Sequence, residues 1–256
     1  MDKKQNLKII AVIQARLGSK RLPEKVMFSI LDKPILWHIH NRLKTCKTLS
    51  EIVISTGNSK NNEKIHDFAV KQKIPIFLGS ENDLISRLFE TCKKFEADAI
   101  VRITGDCPLV DPVLVDKMVS DFTKNYPNFD VVRNYGIPTF PHGFEIDIFS
   151  LKILKKLHDK IIEPKWREWF PLYFDHYPEC FSILEIKNST NQTNLRLTLD
   201  YEEDFTLIKK IYEKLFLKNN SFSTNSIISL LEENPSLLKI NEKYKDHYNL
   251  DAPNIL

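Results

Sequence analysis

Basic residues crowd a short loop near the start of the chain. The loop follows an apolar run over residues 9–13, which is typical of a buried parallel strand. Gly18 and Ser19 in the loop leave the backbone free to turn tightly and to point its N–H groups at an anion. Arginine binds phosphate oxygens with a two-pronged fork and lysine binds them as a point charge, so the pattern indicates a polyphosphate site. The basic residues of the loop are Arg16, Lys20, Arg21 and Lys25.

The spacing of this loop differs from two common nucleotide-binding motifs. It is neither the glycine-rich dinucleotide fingerprint nor a loop that ends in Gly-Lys-Ser/Thr, so neither of those folds gains support. Taken alone, a basic loop after a strand is usually a solvated turn. Two acidic motifs further along the chain favour the nucleotide site.

The first acidic motif is a buried strand that ends in Thr104, Gly105 and Asp106. Parallel sheets bind ligands beyond the carboxyl ends of their strands, so Asp106 is expected close to the basic loop. A carboxylate in that position is a suitable Mg²⁺ ligand, since this ion prefers hard oxygen donors and also binds substrate phosphates. The alternative is that Asp106 caps the turn before Pro108.

The second acidic motif is a predicted strand over residues 195–199 that ends at Asp200. Asp200 is therefore the candidate second metal ligand. The next three acidic residues lie in the first turn of a predicted helix, where the helix dipole favours negative charge, so a capping role is predicted for them. They are Glu202, Glu203 and Asp204.

The elements that position these motifs alternate between strands and helices. After residue 125 the period is lost among tyrosines and prolines, so we expect irregular structure there. The alternation predicts an α/β fold with a mostly parallel sheet covered on both faces and an inserted or appended arm. Besides residues 9–13, the predicted strands are 51–55, 75–78, 99–103 and 195–199. The predicted helices are 34–43, 63–73, 83–95, 113–122, 151–160 and 202–217.

Composition excludes several classes of protein. The chain has 256 residues with 42% hydrophobic content, which fits one large domain, and its 37 basic and 34 acidic residues are too balanced to indicate a nucleic-acid or membrane surface. The four cysteines have neither zinc-finger nor disulfide-framework spacing. No apolar run approaches the ~18 residues that span a bilayer, so we predict a cytoplasmic protein with no membrane partner.

The motifs together resemble a known family. Residues 14–23 (QARLGSKRLP), 102–109 (RITGDCPL) and 195–200 (LRLTLD) are similar to the spore coat polysaccharide biosynthesis cytidylyltransferases. These are relatives of the enzymes that make CMP-activated sialic, pseudaminic and 3-deoxy-manno-octulosonic acids. The resemblance runs from about residue 9 to residue 212 and includes residues 77–83 and 143–147.

The resemblance implies a Rossmann-like nucleotide-diphospho-sugar transferase fold and a homodimer. It also implies a reaction in which CTP and a small sugar-like acceptor give a CMP-sugar and pyrophosphate with the help of Mg²⁺. Asp106 and Asp200 then hold the metal, and Arg16, Lys25 and Asp106 are the catalytic residues. The implied nucleotide-binding residues are Gln14, Ala15, Arg16, Gly18, Ser19, Arg21, Lys25, Thr104 and Gly105.

The predicted organisation is a cytidylyltransferase domain over residues 1–218, with an arm at about 133–177, and a C-terminal helical extension over 219–256. The arm is expected to bind the acceptor and to contribute to the dimer contact. Its aromatic residues fit either a sugar-stacking wall or a core. They are Trp166, Trp169, Phe170 and Tyr173.

Three residues are candidates for acceptor binding: Glu145, Asp147 and Arg167. Glu145 and Asp147 alternate with apolar neighbours, a pattern that fits the exposed face of a strand as well as it fits acceptor binding. His142 beside them is more typical of a solvated loop.

The chain departs from the family pattern at two positions. Glu24 replaces a frequent glycine, and its carboxylate repels phosphate unless it turns outward. Trp169 replaces a histidine that usually follows Arg-Glu in relatives, which suggests a different acceptor. Separately, the spacing of Asp83 and Arg87 fits an ion pair on one helix face or a helix cap.

Two other functions fit the same fold. A glycosyltransferase that uses a nucleotide-sugar donor is disfavoured because Asp106 is followed by Cys107 and Pro108, which leaves no Asp-x-Asp motif at this strand end. A nucleotide-binding module without catalysis is disfavoured because the basic loop and both candidate metal carboxylates are intact.

Overall fold

A computed structural model describes residues 7–58 and 60–246 of the chain. A sheet of seven strands, in the order β5-β4-β1-β6-β8-β7-β9, forms its centre, and β2 and β3 form a separate ribbon. The strands are β1 (Ile9–Gln14), β2 (Ser29–Ile30), β3 (Lys33–Pro34), β4 (Glu51–Gly57), β5 (Ile76–Gly79), β6 (Ala99–Thr104), β7 (Val131–Arg133), β8 (Asp147–Ser150) and β9 (Ile183–Glu185). The helices are α1 (Ile35–Leu43), α2 (Glu63–Gln72), α3 (Leu84–Lys94), α4 (Pro112–Asn125), α5 (Leu151–Lys160), α6 (Pro164–Glu168), α7 (Phe170–His176), α8 (Glu202–Leu215) and α9 (Thr224–Glu233).

The sheet is mostly parallel, as predicted. Strand β1 pairs in parallel with β4 on one side and β6 on the other, and β4 pairs in parallel with β5. Strand β8 is antiparallel to both β6 and β7. The carboxyl ends of β1, β4 and β6 therefore meet at one edge, where the predicted motifs lie.

Both faces of the sheet are buried, which explains the continuous apolar run of β1. Ile9, Ala11 and Ile13 belong to the cluster beneath α1, α2, α4, α8 and α9. Ile10 and Val12 belong to the cluster beneath α3, α5, α6 and α7. Helices on both faces and a parallel centre confirm the predicted Rossmann-like α/β class.

The predicted strand over residues 195–199 is wrong. This segment is extended but forms an isolated bridge, between Arg196 and His142, in place of a strand ladder. Its backbone forms hydrogen bonds with loops instead. The Leu197 N–H donates to the His142 carbonyl at 2.7 Å, and the Leu199 N–H donates to the Asp106 carbonyl at 2.8 Å. Sequence periodicity cannot distinguish these two kinds of partner.

The irregular structure expected after residue 125 contains two strands that the prediction missed. Strands β7 and β8 have three and four residues, which is too short for a period of two to be recognised. The segment between them is irregular.

Helix α9 packs on the same core as α8. Ile227, Leu231 and Leu237 are buried in the cluster that also contains Leu207 and Ile211 of α8. The domain boundary at residue 218 remains a prediction. Within the described ranges, no helix has the length and apolar content needed to cross a membrane.

Candidate active site

Lys25 joins the two predicted metal carboxylates. Its Nζ lies 3.1 Å from Asp106 Oδ2 and 2.7 Å from Asp200 Oδ1, although Lys25 and Asp200 are 175 positions apart in the chain. Lys25 begins the short 3-10 turn after the basic loop, Asp106 follows β6, and Asp200 precedes α8. The Asp106 side chain is 31% exposed and that of Asp200 is 6% exposed, so the site opens to solvent on the side of Asp106.

The charges of this cluster stabilise one another. Burial lowers the pKa of Lys25, but attraction to Asp106 and Asp200 outweighs burial and leaves the pKa above its usual value. Burial raises the pKa of Asp106, but the Lys25 charge and a hydrogen bond from Thr104 outweigh it and hold the pKa below the usual range. At neutral pH, Lys25 is therefore an ammonium and Asp106 a carboxylate.

Two arginines also contact Asp200. Arg21 of the basic loop lies 2.9 Å from Asp200 Oδ1, and Arg196 lies 3.3 Å from Asp200 Oδ2. Asp200 thus accepts from three cations, and its orientation is fixed before any ligand binds. Sequence reasoning missed Arg196, because the predicted strand gave no sign that its side chain would turn toward this cluster.

The capping prediction for the acidic start of α8 holds for Asp204. Its Oδ2 accepts the backbone N–H of Asp200 at 3.0 Å and of Tyr201 at 3.1 Å. Arg196 donates to both Asp204 oxygens, from Nε at 3.0 Å and from a terminal nitrogen at 2.9 Å. Asp204 therefore holds the backbone that carries Asp200.

Glu24 directs its carboxylate toward α2. Its φ of 59° lies in the left-handed region that favours glycine. Its carboxylate pairs with Lys64 of α2 at 2.7 Å. A glycine would adopt this backbone conformation without strain, and the pair with Lys64 neutralises the charge of the acid that stands here.

The loop turns tightly at Gly18, as expected, since the Ser19 N–H donates to the Leu17 carbonyl at 2.9 Å, but this turn does not need a left-handed backbone. Among the described glycines, the positive φ belongs to Gly143, at 106°, and a Cβ on Gly18 meets no atom within 4 Å. Gly105 is the glycine with a packing role at the site. A Cβ there would lie 3.0 Å from the Gln14 carbonyl, which accepts the Gly105 N–H at 2.8 Å.

Several predicted nucleotide-binding residues line the same edge of the sheet. Ala15 is buried and donates its N–H to the Ser55 carbonyl at 3.2 Å, while Ser19 is half-buried in the loop. Gln14 Oε1 accepts from Arg102 at 3.2 Å, and the Thr104 hydroxyl lies 3.0 Å from Cys107 Sγ.

Arg16 links the basic loop to the arm. It pairs with Glu168 at the end of α6 at 3.2 Å, and both side chains are more than one-third exposed. Such a pair is weak in water, so Arg16 can exchange Glu168 for a phosphate at small cost.

Asp147 is buried, so the interpretation as an exposed strand face is wrong for it. Its side chain is 1% exposed and accepts from Arg102 Nε at 2.7 Å and from the Tyr135 hydroxyl. Cross-strand register places Arg102, Asp147, Arg133 and Glu185 in one row over β6, β8, β7 and β9. This row of alternating charge was not predicted, because β7 and β9 are too short to be recognised.

Glu145 lies beside the Asp106 loop. Its carboxylate accepts the Gly143 N–H at 2.9 Å and lies 3.7 Å from Cys107 Sγ. Burial raises the pKa of Glu145 to about 7, and the nearby charge of Asp106 acts in the same direction.

His142, in contrast, is not a solvated loop residue. Its Nδ1 lies 3.2 Å from Arg196, and burial together with that cation lowers the pKa of His142 to about 4.

Arg167 is not brought to the Lys25 cluster. It pairs with Asp83 Oδ2 at 2.6 Å and donates to the His158 carbonyl at 3.0 Å. Asp83 also caps α3 by accepting the Ser86 N–H at 2.9 Å, so the capping alternative holds. Arg87 donates to the Ser80 carbonyl at 2.6 Å, and Asp83 has Arg167 as its ion-pair partner.

The aromatic stretch of the arm is largely core. Trp166 and Phe170 are buried in the cluster beneath α3 and α5, while Trp169 and Tyr173 are half-buried. The core interpretation therefore holds for Trp166 and Phe170.

The two carboxylates fit a divalent cation whose remaining ligands are water and substrate phosphates. Asp106 and Asp200 both reach the same Lys25 nitrogen, so one small cation can contact both. No group of three or more His, Cys, Asp or Glu side chains that could hold a metal occurs within residues 7–58 and 60–246. Mg²⁺ in proteins is typically bound by one or two carboxylates together with water and substrate phosphates.

A basic loop beside paired carboxylates, at the carboxyl edge of a mostly parallel sheet, is the arrangement expected of a nucleotidyltransferase. Over residues 10–227 the chain matches the model of the cytidylyltransferase family. It belongs to that family and is a CTP-dependent nucleotidyltransferase.

Individual proteins agree with this assignment. The chain is 34% identical to a cytidylyltransferase from Leptospira borgpetersenii serovar Hardjo-bovis (strain JB197), whose structure matches with a TM-score of 0.87 over 91% of this chain and 97% of that one. It is 28% identical to the spore coat polysaccharide biosynthesis protein SpsF of Bacillus subtilis (strain 168), over 89% of this chain and 95% of that one. It is 29% identical to the 3-deoxy-manno-octulosonate cytidylyltransferase of Geobacter metallireducens (strain ATCC 53774 / DSM 7210 / GS-15), over 44% of each chain.

Proposed function

We propose that this enzyme transfers CMP from CTP to a sugar acid or a related small acceptor, in the synthesis of a surface-polysaccharide precursor. The observation that carries the proposal is the contact of Lys25 with both Asp106 and Asp200 beside the basic loop. The names of the relatives support the acceptor class, since one acts in polysaccharide biosynthesis and another activates 3-deoxy-manno-octulosonate.

In this proposal the basic loop holds the triphosphate. Arg16, Arg21 and Lys25 neutralise the phosphate charge and stabilise the additional charge that develops on the departing pyrophosphate. An acceptor oxygen attacks the α-phosphorus, the new O–P bond forms, and the bond from the α-phosphorus to the bridging oxygen of pyrophosphate breaks. Nucleotidyl transfer of this kind depends on alignment more than on covalent help from the protein.

Asp106 and Asp200 would hold Mg²⁺, which supplies charge neutralisation and alignment of the phosphates. The Cys107 thiol contacts both Asp106 and Glu145, so Glu145 lies close to the proposed metal ligand. Glu145 is proposed to bind an acceptor hydroxyl or amine. Asp147 is proposed to support the acceptor site from the buried charged row, and Arg167 to support it by fixing α6 against α3. A homodimer and a cytoplasmic location complete the proposal.

The test is a pair of substitutions at the proposed metal ligands. Asp106→Asn and Asp200→Asn each remove a charge, and we expect turnover to fall by about 100-fold or more in each. Pyrophosphate release is measured with CTP, Mg²⁺ and a panel of sugar acids and amino sugars, with UTP in parallel.

Asp121→Asn is the matched control, because Asp121 forms a surface pair with Lys117 at 2.9 Å and is far along α4 from its start. Circular dichroism must show that all three variants are folded. Full turnover by a folded Asp106→Asn or Asp200→Asn variant contradicts the metal assignment.

A further inference from the structure

The chain beyond α9 returns to the active site. We call residues 237–245 the C-terminal strut. The strut is anchored by Leu237, which is buried in the main core, and it places Asn241 and Tyr244 against the start of α8. The family match ends at residue 227, so this contact lies outside the part of the chain that the family model covers.

Asn241 bonds the network that fixes Asp200. Its buried amide nitrogen donates to the Arg196 carbonyl at 3.1 Å and to Asp204 Oδ1 at 2.8 Å. Both amide hydrogens are therefore used. The Asp204 carboxylate, which is fully buried, in turn accepts the backbone N–H of Asp200.

Tyr244 supports the same region through its ring. It stacks on Tyr201, the residue after Asp200, with the two ring centroids 3.7 Å apart and an angle of 3° between the rings. Two arginines that contact Asp200 also lie beside Tyr201, since the guanidinium groups of Arg21 and Arg196 each lie 5.6 Å from the Tyr201 ring centroid. Lys243 adds an ion pair to Glu203 at 2.5 Å.

We propose that the C-terminal strut is a positioning device for the active site and that Asn241 is its positioning residue. Asn241 holds Asp204 and Arg196, and these hold the backbone and the carboxylate of Asp200. Without Asn241 the Asp204 carboxylate loses one of its donors, and the Asp200 backbone gains freedom. This inference rests on the proposed metal-binding role of Asp200.

A purely structural role predicts a different pattern. If the strut only covered the core, removal of any of its polar contacts would lower stability and leave kinetics unchanged below the unfolding temperature. Outer contacts that orient metal ligands typically change affinity or activity by about 10- to 100-fold when they are removed.

The test is Asn241→Ala, with Asn234→Ala as the matched control. Asn234 is the C-cap of α9, and its amide donates to the Leu230 carbonyl at 2.9 Å, away from the Lys25 cluster. We expect Asn241→Ala to lower kcat by about 10-fold and to raise the Mg²⁺ concentration needed for half-maximal rate, while Asn234→Ala keeps both values. Equal kinetics of Asn241→Ala and the wild type overturn the proposal.

A second measurement needs neither metal nor substrate. Hydrogen exchange is followed by mass spectrometry on peptides that cover residues 198–205 in the ligand-free protein. We expect faster exchange at the Asp200 and Tyr201 amides in Asn241→Ala than in Asn234→Ala or the wild type, because their common acceptor is less well held. Unchanged exchange overturns the proposal.

Tyr244→Ala and Tyr244→Phe give an independent pair, because Tyr244 is half-buried and both variants retain Asn241. We expect the alanine variant to raise the half-maximal Mg²⁺ concentration and the phenylalanine variant, which keeps the stacked ring, to retain the wild-type value. Equal values for the two variants overturn the role of the stack. Asp200→Asn separates the two proposals: if it keeps full activity, the metal assignment fails, and if it is inactive while Asn241→Ala is normal, the strut proposal fails.

Discussion

Lys25 contacts the two carboxylates that are proposed to bind the metal. Its ammonium lies between Asp106 and Asp200, so a cation cannot reach both carboxylates until Lys25 moves. A triphosphate offers Lys25 another anionic partner. Under the proposed function, Lys25 therefore couples the binding of the nucleotide to the release of the proposed metal ligands.

Glu145 gives the clearest dependence on pH at the residue scale. Its pKa is raised from 4.5 to about 7 by burial. Between these values the folded chain keeps a proton that the unfolded chain releases, so the free energy of unfolding falls as pH rises through this window. Glu145→Gln cannot ionise and still offers an oxygen to the Gly143 N–H.

We therefore expect the free energy of unfolding of Glu145→Gln, relative to the wild type, to rise by about 2 kcal/mol between pH 5 and pH 8. Urea unfolding at both pH values measures this difference, and effects of the substitution that do not depend on pH cancel. A difference that is the same at both pH values is evidence against a raised pKa of Glu145.

At the residue scale, the candidate site residues could be predicted from the sequence, but the side chains that contact them could not. Asp106, Asp200 and Lys25 were predicted because each has an informative position next to an apolar run or in the basic loop. Arg196, Asp204 and Asn241 hold Asp200 through contacts between segments distant in the chain, and no local pattern encodes such contacts. The interpretation of Asp147 as an exposed residue was wrong for the same reason, since its burial depends on an ion pair with Arg102 on a neighbouring strand.

At the scale of elements, the extended segment that precedes Asp200 depends on a glycine. Gly143 has a φ of 106°, and a Cβ there would lie 2.5 Å from the backbone of Leu197 and Thr198. This close approach allows the His142 backbone to pair with the Leu197 N–H. The loop that carries Glu145 and the segment that carries Asp200 are thereby held together.

Gly143→Ala should lower the free energy of unfolding by about 2 kcal/mol or more, since the new methyl group meets backbone and the φ disfavours alanine. Gly18→Ala is the matched control, because a Cβ there meets no atom within 4 Å and φ is ordinary. Urea denaturation compares the two variants. Equal stabilities would show that the contact between the two segments is looser than the structure indicates.

The elements themselves were largely predictable. Helices with a clear apolar period, such as α3 and α5, were placed within a residue or two of their observed ends. The errors fall on short or unpaired extended segments, namely β7, β8, β9 and residues 195–199. The three strands have too few residues for side-chain periodicity to show them, and residues 195–199 bond the backbone of distant loops, which no local pattern encodes.

At the scale of the whole molecule, the site is assembled from distant parts of the chain. The basic loop follows β1, Asp106 follows β6, and Asp200 precedes α8 on a segment that Asn241 of the C-terminal strut contacts. The Arg16–Glu168 pair joins the arm to the basic loop. A ligand that contacts the loop and both carboxylates therefore stabilises contacts across the entire fold.

Metal and nucleotide should consequently bind with positive coupling. Mg²⁺ alone must displace Lys25 and compete with Arg21 for Asp200, whereas CTP draws both cations toward its phosphates. Ligand at 100 times its dissociation constant stabilises a protein by about 2.7 kcal/mol, which is about 5 to 10 °C in unfolding temperature for a domain of this size. We expect the shift with Mg²⁺ and CTP together to exceed the sum of the shifts with each alone.

Lys25→Met provides the crossed test of this coupling in the same thermal-shift assay. The variant keeps the length of the side chain but removes the ammonium that lies between the carboxylates, so Mg²⁺ alone should stabilise it more than it stabilises the wild type. Its response to CTP alone should be weaker, because the triphosphate has lost a cation. If Lys25 carries the coupling, the shifts of Lys25→Met with Mg²⁺ and CTP together should also become additive, because the coupling free energy between two linked ligands is the same in both directions. Additive shifts in the wild type, or an unchanged response of Lys25→Met to Mg²⁺, would mean that the metal binds without displacing Lys25.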